Sequence, residues 1–196
     1  MDKDVAILRA TVRLIEKGTP PHLVKISDVA AEAGIGKGTV YEYFSSKDEL
    51  LAKAFCFGVG EKLELLSTEF EKGTDFHHGF MSVLGILSQC SNRFFSLFRF
   101  CDPDMIALAQ AYHFIDEVYH QHFDTLLGFM DRILERGCAE GIFPPPASAD
   151  YGRFALIASF SGFHSVLSAQ SLKGTKDDFA EQVMELTYDS LRKSLQ

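Results

Sequence analysis

Residues 24–51 read VKISDVAAEAGIGKGTVYEYFSSKDELL, and this stretch decides the fold of the N-terminal part of the chain. Its apolar residues recur at spacings of three and four, which predicts two short helices, at 28–33 and at about 37–44. Ser27 is expected to cap the first helix, and Gly34 to end it. Two short helices joined by three residues with a glycine at the turn are typical of a helix-turn-helix.

The predicted motif has a small apolar core and an exposed second helix. The expected core residues are Val29, Ala30, Val40 and Phe44. In such a motif the second helix enters the major groove of DNA, with its N-terminal residues at the base edges. There a lysine donates to guanine or phosphate, and a threonine bonds to bases or contacts a thymine methyl group. The residues that this helix is expected to expose are Lys37, Gly38, Thr39, Tyr41 and Tyr43.

Helices are predicted on both sides of the motif. Upstream, one apolar stripe predicts a helix over about 3–17 that ends at Gly18. Downstream, Ser46 with Glu49 three residues later forms a capping box, which begins a long helix ending near Gly73.

The remainder of the chain is also predicted to be helical. Further helices are expected at about 75–91, 93–100, 103–138, 148–171 and 175–194. Ser148 and Thr175 are the predicted caps of the last two. With about nine helices, the fold class is all-α. We divide it into a three-helix helix-turn-helix DNA-binding domain (1–46) and a C-terminal helical bundle for ligand binding and dimerisation (47–196).

Composition and charge limit the classes of function. The chain has 196 residues, 46% of them hydrophobic, and a net charge of -8. Residues 1–53 contain eight Lys/Arg and eight Asp/Glu, so the negative charge lies in 54–196 and the positive footprint expected for DNA binding is weak. Without a signal peptide or an apolar run near the ~18 residues of a membrane span, the chain is predicted to be cytoplasmic, with no membrane partner. The cysteines are scattered and predicted to be reduced thiols: Cys56, Cys90, Cys101 and Cys138.

Over residues 5–52 the sequence closely resembles the tetracycline-repressor (TetR) family of bacterial one-component regulators. The matching features are Ile7-Leu8 with Ala10, Glu16-Lys17-Gly18, Ile26-Ser27-Asp28-Val29-Ala30, Ala33-Gly34-Ile35, Lys37-Gly38-Thr39-Val40-Tyr41, Tyr43-Phe44 and Ser46-Lys47-Asp48-Glu49-Leu50-Leu51. Beyond them, the agreement consists of the number of helices and of residues 137–143, which resemble a turn before the last two helices of the family.

The resemblance implies roles in DNA binding, position by position. Ser27 corresponds to the helix cap that contacts a phosphate, Tyr43 to a phosphate-contacting aromatic residue, and Lys47 to a lysine that anchors the DNA backbone. The residues that correspond to the recognition helix and its approach are Gly36, Lys37, Gly38, Thr39 and Tyr41. Alternative interpretations are that both lysines are only solvated, that Tyr41 packs on the first helix and that Thr39 only starts its helix, but within this motif the DNA contacts are preferred.

Two positions depart from the family pattern. Gly36 stands where serine is common, so one hydroxyl contact is missing. Glu42 stands where an aromatic or polar residue is common, and a carboxylate beside the phosphate backbone is repulsive unless it points away or meets a cytosine amino group. With the neutral charge of residues 1–53, this predicts modest non-specific affinity and a shallow salt dependence.

The C-terminal part is the expected sensor. The chain has 18 Phe and no Trp, and many of the Phe cluster in its middle. They are interpreted either as a solid core or as the lining of an apolar cavity. In the family this region binds small, often hydrophobic or aromatic effectors, which implies such a partner here. The candidate ligand-binding residues are Phe94, Phe98, Tyr112, His122, Phe123 and His164.

The last two helices are the expected dimer interface. Small residues recur on the first of them, at Ala158, Gly162, Ser165 and Ala169. The final helix carries two apolar stripes, of which one can face the core and the other a partner in a two-fold four-helix bundle. A monomer would show the same stripes, so the homodimer is implied mainly by the resemblance.

The sequence therefore predicts a ligand-responsive transcriptional regulator, a repressor that binds a palindromic DNA operator as a homodimer and is released by a small-molecule effector. It contains no catalytic motif, and neither an enzyme nor a cofactor is predicted. One alternative is an interaction protein that keeps the fold without regulatory DNA binding. Another is a helical metal-binding protein that uses His113, Glu117 and His120, although a solvated polar face is the expected reading of those residues.

Overall fold

A computed structural model describes residues 2–89, 113–171 and 178–196, with side chains for 2–89, 123–167 and 179–196. The described residues form eight α-helices and no strand, which confirms the all-α class. The helices are α1 (Lys3–Glu16), α2 (Ile26–Ala33), α3 (Lys37–Tyr43), α4 (Lys47–Lys72), α5 (Phe76–Gln89), α6 (His113–Ala139), α7 (Ala149–Ser171) and α8 (Asp178–Ser194). The helix predicted at 93–100 and the cap predicted at Thr175 lie outside the described residues. None of these eight helices is long and apolar enough to cross a membrane.

The described chain divides into two compact units. The first consists of the residues up to Lys62 together with 113–122, and the second of 63–89 and the described residues from Phe123 onward. In the first unit, α1, α2, α3 and the start of α4 enclose a mainly aliphatic core. The core residues are Ile7, Ala10, Val24, Ile26, Val29, Ala30, Val40, Phe44, Leu50 and Leu51. All four residues predicted for the core of the motif are among them, so that prediction is confirmed.

The start of α2 differs from the prediction. Ser27 is not its N-cap, because the carbonyl oxygen of Lys25 already accepts from the backbone N–H groups of Asp28 and Val29, at 3.0 and 3.1 Å. The helix begins at Ile26, whose burial in the core fixes the position at which the chain enters α2. The Ser27 hydroxyl lies in the first turn instead and donates to Asp28 Oδ1 at 3.2 Å. Burial of an apolar residue thus sets this helix end in place of a side-chain cap.

The predicted capping box at the start of α4 is confirmed in its first half. The Ser46 hydroxyl oxygen accepts from the backbone N–H of Glu49 at 3.0 Å. The Glu49 carboxylate reaches one residue further back than expected, and accepts from the backbone N–H and the hydroxyl of Ser45 at 2.7 and 2.6 Å. Both contacts satisfy donors near the helix start that have no partner within the helix.

The second unit has an aromatic core. Phe76 lies at its centre, with its ring centroid 6.0 Å from that of Phe70, 5.7 Å from Phe80 and 5.6 Å from Phe143. Edge-to-face and offset arrangements of this kind are the favourable geometries for ring pairs. The other rings buried in this core are Phe129, Phe160 and Phe163.

An arginine and a glutamate at the end of α6 hold the turn between α4 and α5. Arg136 donates to the carbonyl oxygens of Phe70 and Gly73, both at 2.8 Å, and to Glu140 at 2.7 Å. The other carboxylate oxygen of Glu140 accepts from the backbone N–H of Phe76 at 2.6 Å. A cation thus meets the last carbonyls of α4 and an anion meets the first N–H group of α5, which is the favourable sense for both helix dipoles.

The turn after α6, at residues 137–143, depends on glycine. A Cβ atom on Gly137 would lie 2.2 Å from the ring of Phe143, which is buried. Gly141 has a φ of +72°, and the N–H of Ile142 donates to the Gly137 carbonyl at 2.9 Å. Further on, the Ser148 hydroxyl accepts from the N–H of Tyr151 at 3.1 Å, which confirms the predicted cap of α7.

Candidate nucleic-acid interface

The turn between α2 and α3 sets the direction of the second helix. Gly34 has a φ of +70°, in the left-handed region that favours glycine, and it terminates α2. The N–H of Ile35 returns to the carbonyl of Ala30 at 3.0 Å, and α3 then begins at Lys37. Val40 faces inward and is fully buried. One side of α3 is therefore fixed in the core of the first unit, and the other side faces away from it.

The outer side of α3 carries the predicted recognition residues. Lys37 and Gly38 are exposed and Thr39 is half-buried. Tyr41 and Tyr43 are 50% and 43% exposed, so neither ring belongs to the core of the first unit. The structure therefore brings these five residues together on one short helix and leaves their polar groups accessible.

The glycines at the start of α3 leave its surface open. Gly36 is the N-cap, in an extended conformation, and a Cβ atom there would meet only the Thr39 hydroxyl, at 4.0 Å. A Cβ atom on Gly38 would have no neighbour within 4 Å. Neither glycine is required for packing within the unit, so the space that they leave is available to another molecule.

The other two predicted DNA contacts flank this helix. Ser27 is exposed in the first turn of α2. Lys47, at the start of α4, donates from Nζ to the carbonyl oxygen of His22 at 2.7 Å, in the short 3-10 turn Pro21–Leu23. An ammonium group has three donors, so this contact fixes the position of the charge and leaves two donors for other acceptors.

Much of the positive charge of the first unit is neutralised internally. Glu32 accepts from Lys17 at 2.9 Å and from Arg13 at 3.0 Å, and these hydrogen bonds lower the pKa of its carboxyl group. The hydrogen bond from Lys53, followed by those from Ser45, lowers the pKa of Glu49 to about 2.

Arg9 pairs with Glu61 in the same unit. By contrast, no ion pair within the described parts of the chain holds Lys25 or Lys37. Sequence reasoning did not single out Lys25, which is exposed two residues before Ser27.

The second unit contains a small apolar cavity of about 20 Å³, enough for about one water molecule and partly open to solvent. Every residue that lines it is apolar. The lining residues are Leu66, Val83, Leu87, Leu126, Phe129, Met130 and Phe160. They come from four helices, α4, α5, α6 and α7, which is why no short stretch of sequence pointed to them. The helical spacing of four in Val83–Leu87 and Leu126–Met130 was the available signal, but it is also the signal of ordinary core packing.

The structure describes the side chains of only two of the six predicted ligand-binding residues. Phe94, Phe98 and Tyr112 lie outside the described residues, and His122 lies in α6 with its side chain outside them. Phe123 is half-buried and His164 is buried, both in the second unit. The side chains of the predicted metal ligands His113, Glu117 and His120 also lie outside the described part. Within that part, no group of three His, Cys, Asp or Glu could hold a metal ion.

Helices α7 and α8 together expose a set of small and large apolar side chains, which we call the apolar surface of α7 and α8. The small residues Ala158, Gly162 and Ser165 are exposed on α7, while Ala169 lies outside the described side chains. Large apolar and aromatic side chains are exposed on the same two helices. They are Tyr151, Phe154, Val166 and Leu186, of which Phe154 and Leu186 are the most exposed, at 68% and 64%.

Comparison with known proteins gives a family match for the N-terminal part and a fold match for the whole chain. Residues 7–54 match the model of bacterial regulatory proteins of the tetR family. No curated protein matches the chain.

Solved structures match over nearly the full length. A TetR-family regulator from Mesorhizobium loti is 16% identical, with 98% of this chain and 95% of that chain covered and a TM-score of 0.66. The fatty acid degradation regulator FadR from Bacillus halodurans is 19% identical, with 97% and 98% covered and a TM-score of 0.62. FadR from Bacillus subtilis, solved in complex with stearoyl-CoA, is 18% identical, with 97% of both chains covered and a TM-score of 0.54.

Proposed function

We propose that this chain, whose residues 7–54 match the model of the bacterial regulatory proteins of the tetR family, is a repressor that binds a palindromic operator as a homodimer and is released by a small-molecule effector. The observation that carries the proposal is the outer side of α3, where Lys37, Tyr41 and Tyr43 are exposed on a helix fixed from behind by Val40. In this proposal residues 1–46 bind DNA, and residues 47–196 bind the effector and form the dimer.

The DNA contacts fall into two groups. Lys37, Thr39 and Tyr41 contact base edges in the major groove, and the bare backbone at Gly36 and Gly38 allows α3 to approach closely. Ser27, Tyr43 and Lys47 contact phosphates on either side of the groove. The Lys47 ammonium is held in place by the His22 carbonyl, so that little side-chain freedom is lost when it meets a phosphate.

The apolar surface of α7 and α8 is the proposed dimer interface. Exposed side chains such as Phe154 and Leu186 gain about 25 cal/mol for each Å² removed from water. The small residues Ala158, Gly162 and Ser165 allow a helix of a second copy to approach closely. A two-fold dimer places two α3 helices in successive major grooves, about 34–36 Å apart.

The apolar cavity of the second unit is the proposed effector site. A lining without a polar side chain suits a hydrocarbon or aromatic group, whose polar part must then find its partners elsewhere. Since a structural neighbour of this chain binds stearoyl-CoA, long-chain acyl-CoA is the first ligand class to test. The effector favours a conformation with the wrong spacing of recognition helices. By linkage, operator DNA weakens effector binding by the same factor.

DNA selection with the purified protein tests the operator proposal. Random duplexes bound at two salt concentrations are sequenced, and a two-fold symmetric motif is expected. Lys37→Ala should then weaken operator binding by about tenfold, as for the loss of one good base or phosphate contact. Lys72→Ala, which removes the same charge from the exposed end of α4, is the control. Failure to enrich any palindrome, or equal effects of the two substitutions, would contradict the proposal.

Titration of stearoyl-CoA into the protein–operator complex tests the effector proposal. Release of DNA is expected, with an apparent affinity for the ligand that falls as operator concentration rises. Val83→Leu narrows the cavity from α5 and should weaken the response while DNA binding persists. If the ligand neither binds nor releases DNA, long-chain acyl compounds are excluded as effectors.

A further inference from the structure

We infer that Glu42 is a specificity determinant of the DNA interface, whose carboxylate accepts a hydrogen bond from the exocyclic amino group of a cytosine in each half-site. The inference rests on the proposed DNA-binding function and names the chemistry of one position within it. Glu42 is also the residue at which the recognition helix departs most from the family pattern, so no role is carried over to it by resemblance.

The position of Glu42 on α3 is the first argument. An α-helix advances by about 100° per residue, so residues 38 and 42 each lie about 160° from Val40. Val40 is fully buried and marks the inner side of the helix. Gly38 and Glu42 therefore share the outermost line of α3, one turn apart, with Thr39 and Tyr41 on either side. Because Gly38 has no side chain and open space around it, nothing covers Glu42 from the preceding turn.

The lack of an internal partner is the second argument. Three other carboxylates of the first unit meet cations: Glu32, Glu49 and Glu61. The Glu42 carboxylate is exposed and forms no hydrogen bond or ion pair with any described residue. Glu42 differs from these three in having no cation partner, and it stands at the centre of the side that the proposal places in DNA.

The chemistry of the groove then selects the partner. A carboxylate accepts hydrogen bonds and donates none, so it is repelled by phosphates, by guanine N7 and O6 and by thymine O4. Adenine presents its amino group beside the acceptor N7, which suits an amide better than a carboxylate. Cytosine presents the N4 amino group, which is the usual partner of Glu and Asp. A carboxylate on the outermost line of α3 therefore favours cytosine and disfavours the other three bases.

The decisive experiment repeats the DNA selection with wild-type protein, Glu42→Gln, Glu42→Ala and the control Glu64→Gln. Glu64 is an exposed carboxylate on α4, and its substitution makes the same change in net charge. The wild type and the control should enrich a palindrome with cytosine at one position of each half-site. Glu42→Gln should keep the palindrome but lose cytosine there, or exchange it for adenine. Each change in preference should be on the order of tenfold.

A second measurement removes the amino group instead of the carboxylate. Cytosine at that position is replaced by 2-pyrimidinone, which lacks the N4 amino group. Wild-type affinity should fall by about tenfold, whereas Glu42→Ala should bind both duplexes equally. An unchanged motif in Glu42→Gln, together with equal wild-type affinity for both duplexes, would overturn the inference while leaving the operator proposal intact. If the wild type enriches no palindrome, the operator proposal fails and this inference fails with it.

Discussion

The two compact units place their aromatic residues in opposite ways. Among the described side chains, the first has an aliphatic core in which Phe44 is the only buried ring, and it exposes Tyr41 and Tyr43. The second buries a cluster of phenylalanines around Phe76 and lines an empty cavity with Phe129 and aliphatic residues. Buried rings hold the second unit together, whereas Tyr41 and Tyr43 of the first unit, like Phe154 of the second, are exposed at a surface.

The difference shows that the burial of an aromatic side chain decides how that side chain is interpreted. An exposed ring gains little from internal packing, so Tyr41 and Tyr43 contribute little to the stability of the first unit. A buried ring is fully explained by the stability that it provides. An aromatic residue is thus available for contact with another molecule where it is exposed and is explained by packing where it is buried, and substitutions can separate the two cases.

The largest effect is expected for Phe76→Ala. The side chain is fully buried and contacts the rings of Phe70, Phe80 and Phe143, so its loss leaves a cavity that neighbouring rings cannot easily fill. The free energy of unfolding should fall by about 3–5 kcal/mol, measured by urea denaturation. Tyr41→Ala is the counterpart in the first unit and should change stability by less than about 1 kcal/mol while weakening DNA binding. Comparable losses of stability in both variants would break the contrast between the units.

Next in size is the removal of Arg136, tested as Arg136→Met to keep most of the apolar stem. The carbonyl oxygens of Phe70 and Gly73 lose the hydrogen bonds from the guanidinium, the Phe70 carbonyl keeps the one from the N–H of Gly73, and Glu140 loses its cation. We expect a loss of about 2–3 kcal/mol in unfolding free energy, since these groups are partly buried.

Arg132→Met on the same helix is the matched control. Arg132 donates to the Ser67 hydroxyl at 2.7 Å and lies 3.8 Å from Glu71, in an exposed site. Exposed pairs of this kind contribute about 0–1 kcal/mol. Equal losses of unfolding free energy in the two variants would show that the contacts of Arg136 with the turn stabilise the protein no more than an exposed ion pair does.

The first unit was largely predictable from sequence because its determinants are local. The ends of α1 and α2 follow from Gly18 and Gly34, and the start of α4 follows from Ser46 with Glu49. Each signal and the structure that it produces lie within a few residues. The exception, Ser27, failed because burial of Ile26 decided the start of α2, and burial is set by residues distant in the chain.

The second unit was predictable only in its helices. The Arg136–Glu140 pair lies more than 60 residues from the turn that it holds, as the separations of 66 and 64 residues for its contacts with Phe70 and Phe76 show. The cavity draws on four helices. Helical periodicity says which side of a helix is apolar, but not which apolar sides meet, or where they leave space between them.

The same substitution, glycine to alanine, should have opposite effects in the two units. At Gly137 the new methyl group would lie 2.2 Å from the buried ring of Phe143, and overpacking of this kind costs about 1–3 kcal/mol. At Gly38 the methyl group meets nothing within 4 Å, and alanine in place of glycine in a helix stabilises by about 0.5–1 kcal/mol.

Thermal unfolding of both variants, together with operator binding, measures this contrast. Gly38→Ala should be more stable than the wild type and yet bind DNA more weakly, because the methyl group occupies the space that the close approach needs. If Gly38→Ala binds DNA as the wild type does, α3 does not approach the DNA through Gly38. The side of α3 that is proposed to face DNA is then wrong.

The smallest effect concerns the pH dependence of the first unit. The carboxyl group of Glu49 has a pKa of about 2, lowered from 4.5 first by the hydrogen bond from Lys53 and then by those from Ser45. Because the pKa is lower in the folded state, the stabilisation is complete above pH 4.5 and is lost as the pH falls from 4.5 to about 2. With the site near the surface, it amounts to about 1 kcal/mol or less.

Glu49→Gln removes this contribution and isolates it from the other acids of the chain. The difference in unfolding free energy between wild type and variant should be constant above about pH 5 and shrink toward zero at pH 2. Asp48→Asn, one residue earlier, is the control, since that carboxylate accepts no hydrogen bond from a described residue. A difference that stays constant down to pH 2 would mean that the ionised carboxylate does not hold the start of α4. In that case the Ser46 hydroxyl alone, without the Glu49 carboxylate, would account for the capping-box signal that predicted the start of α4.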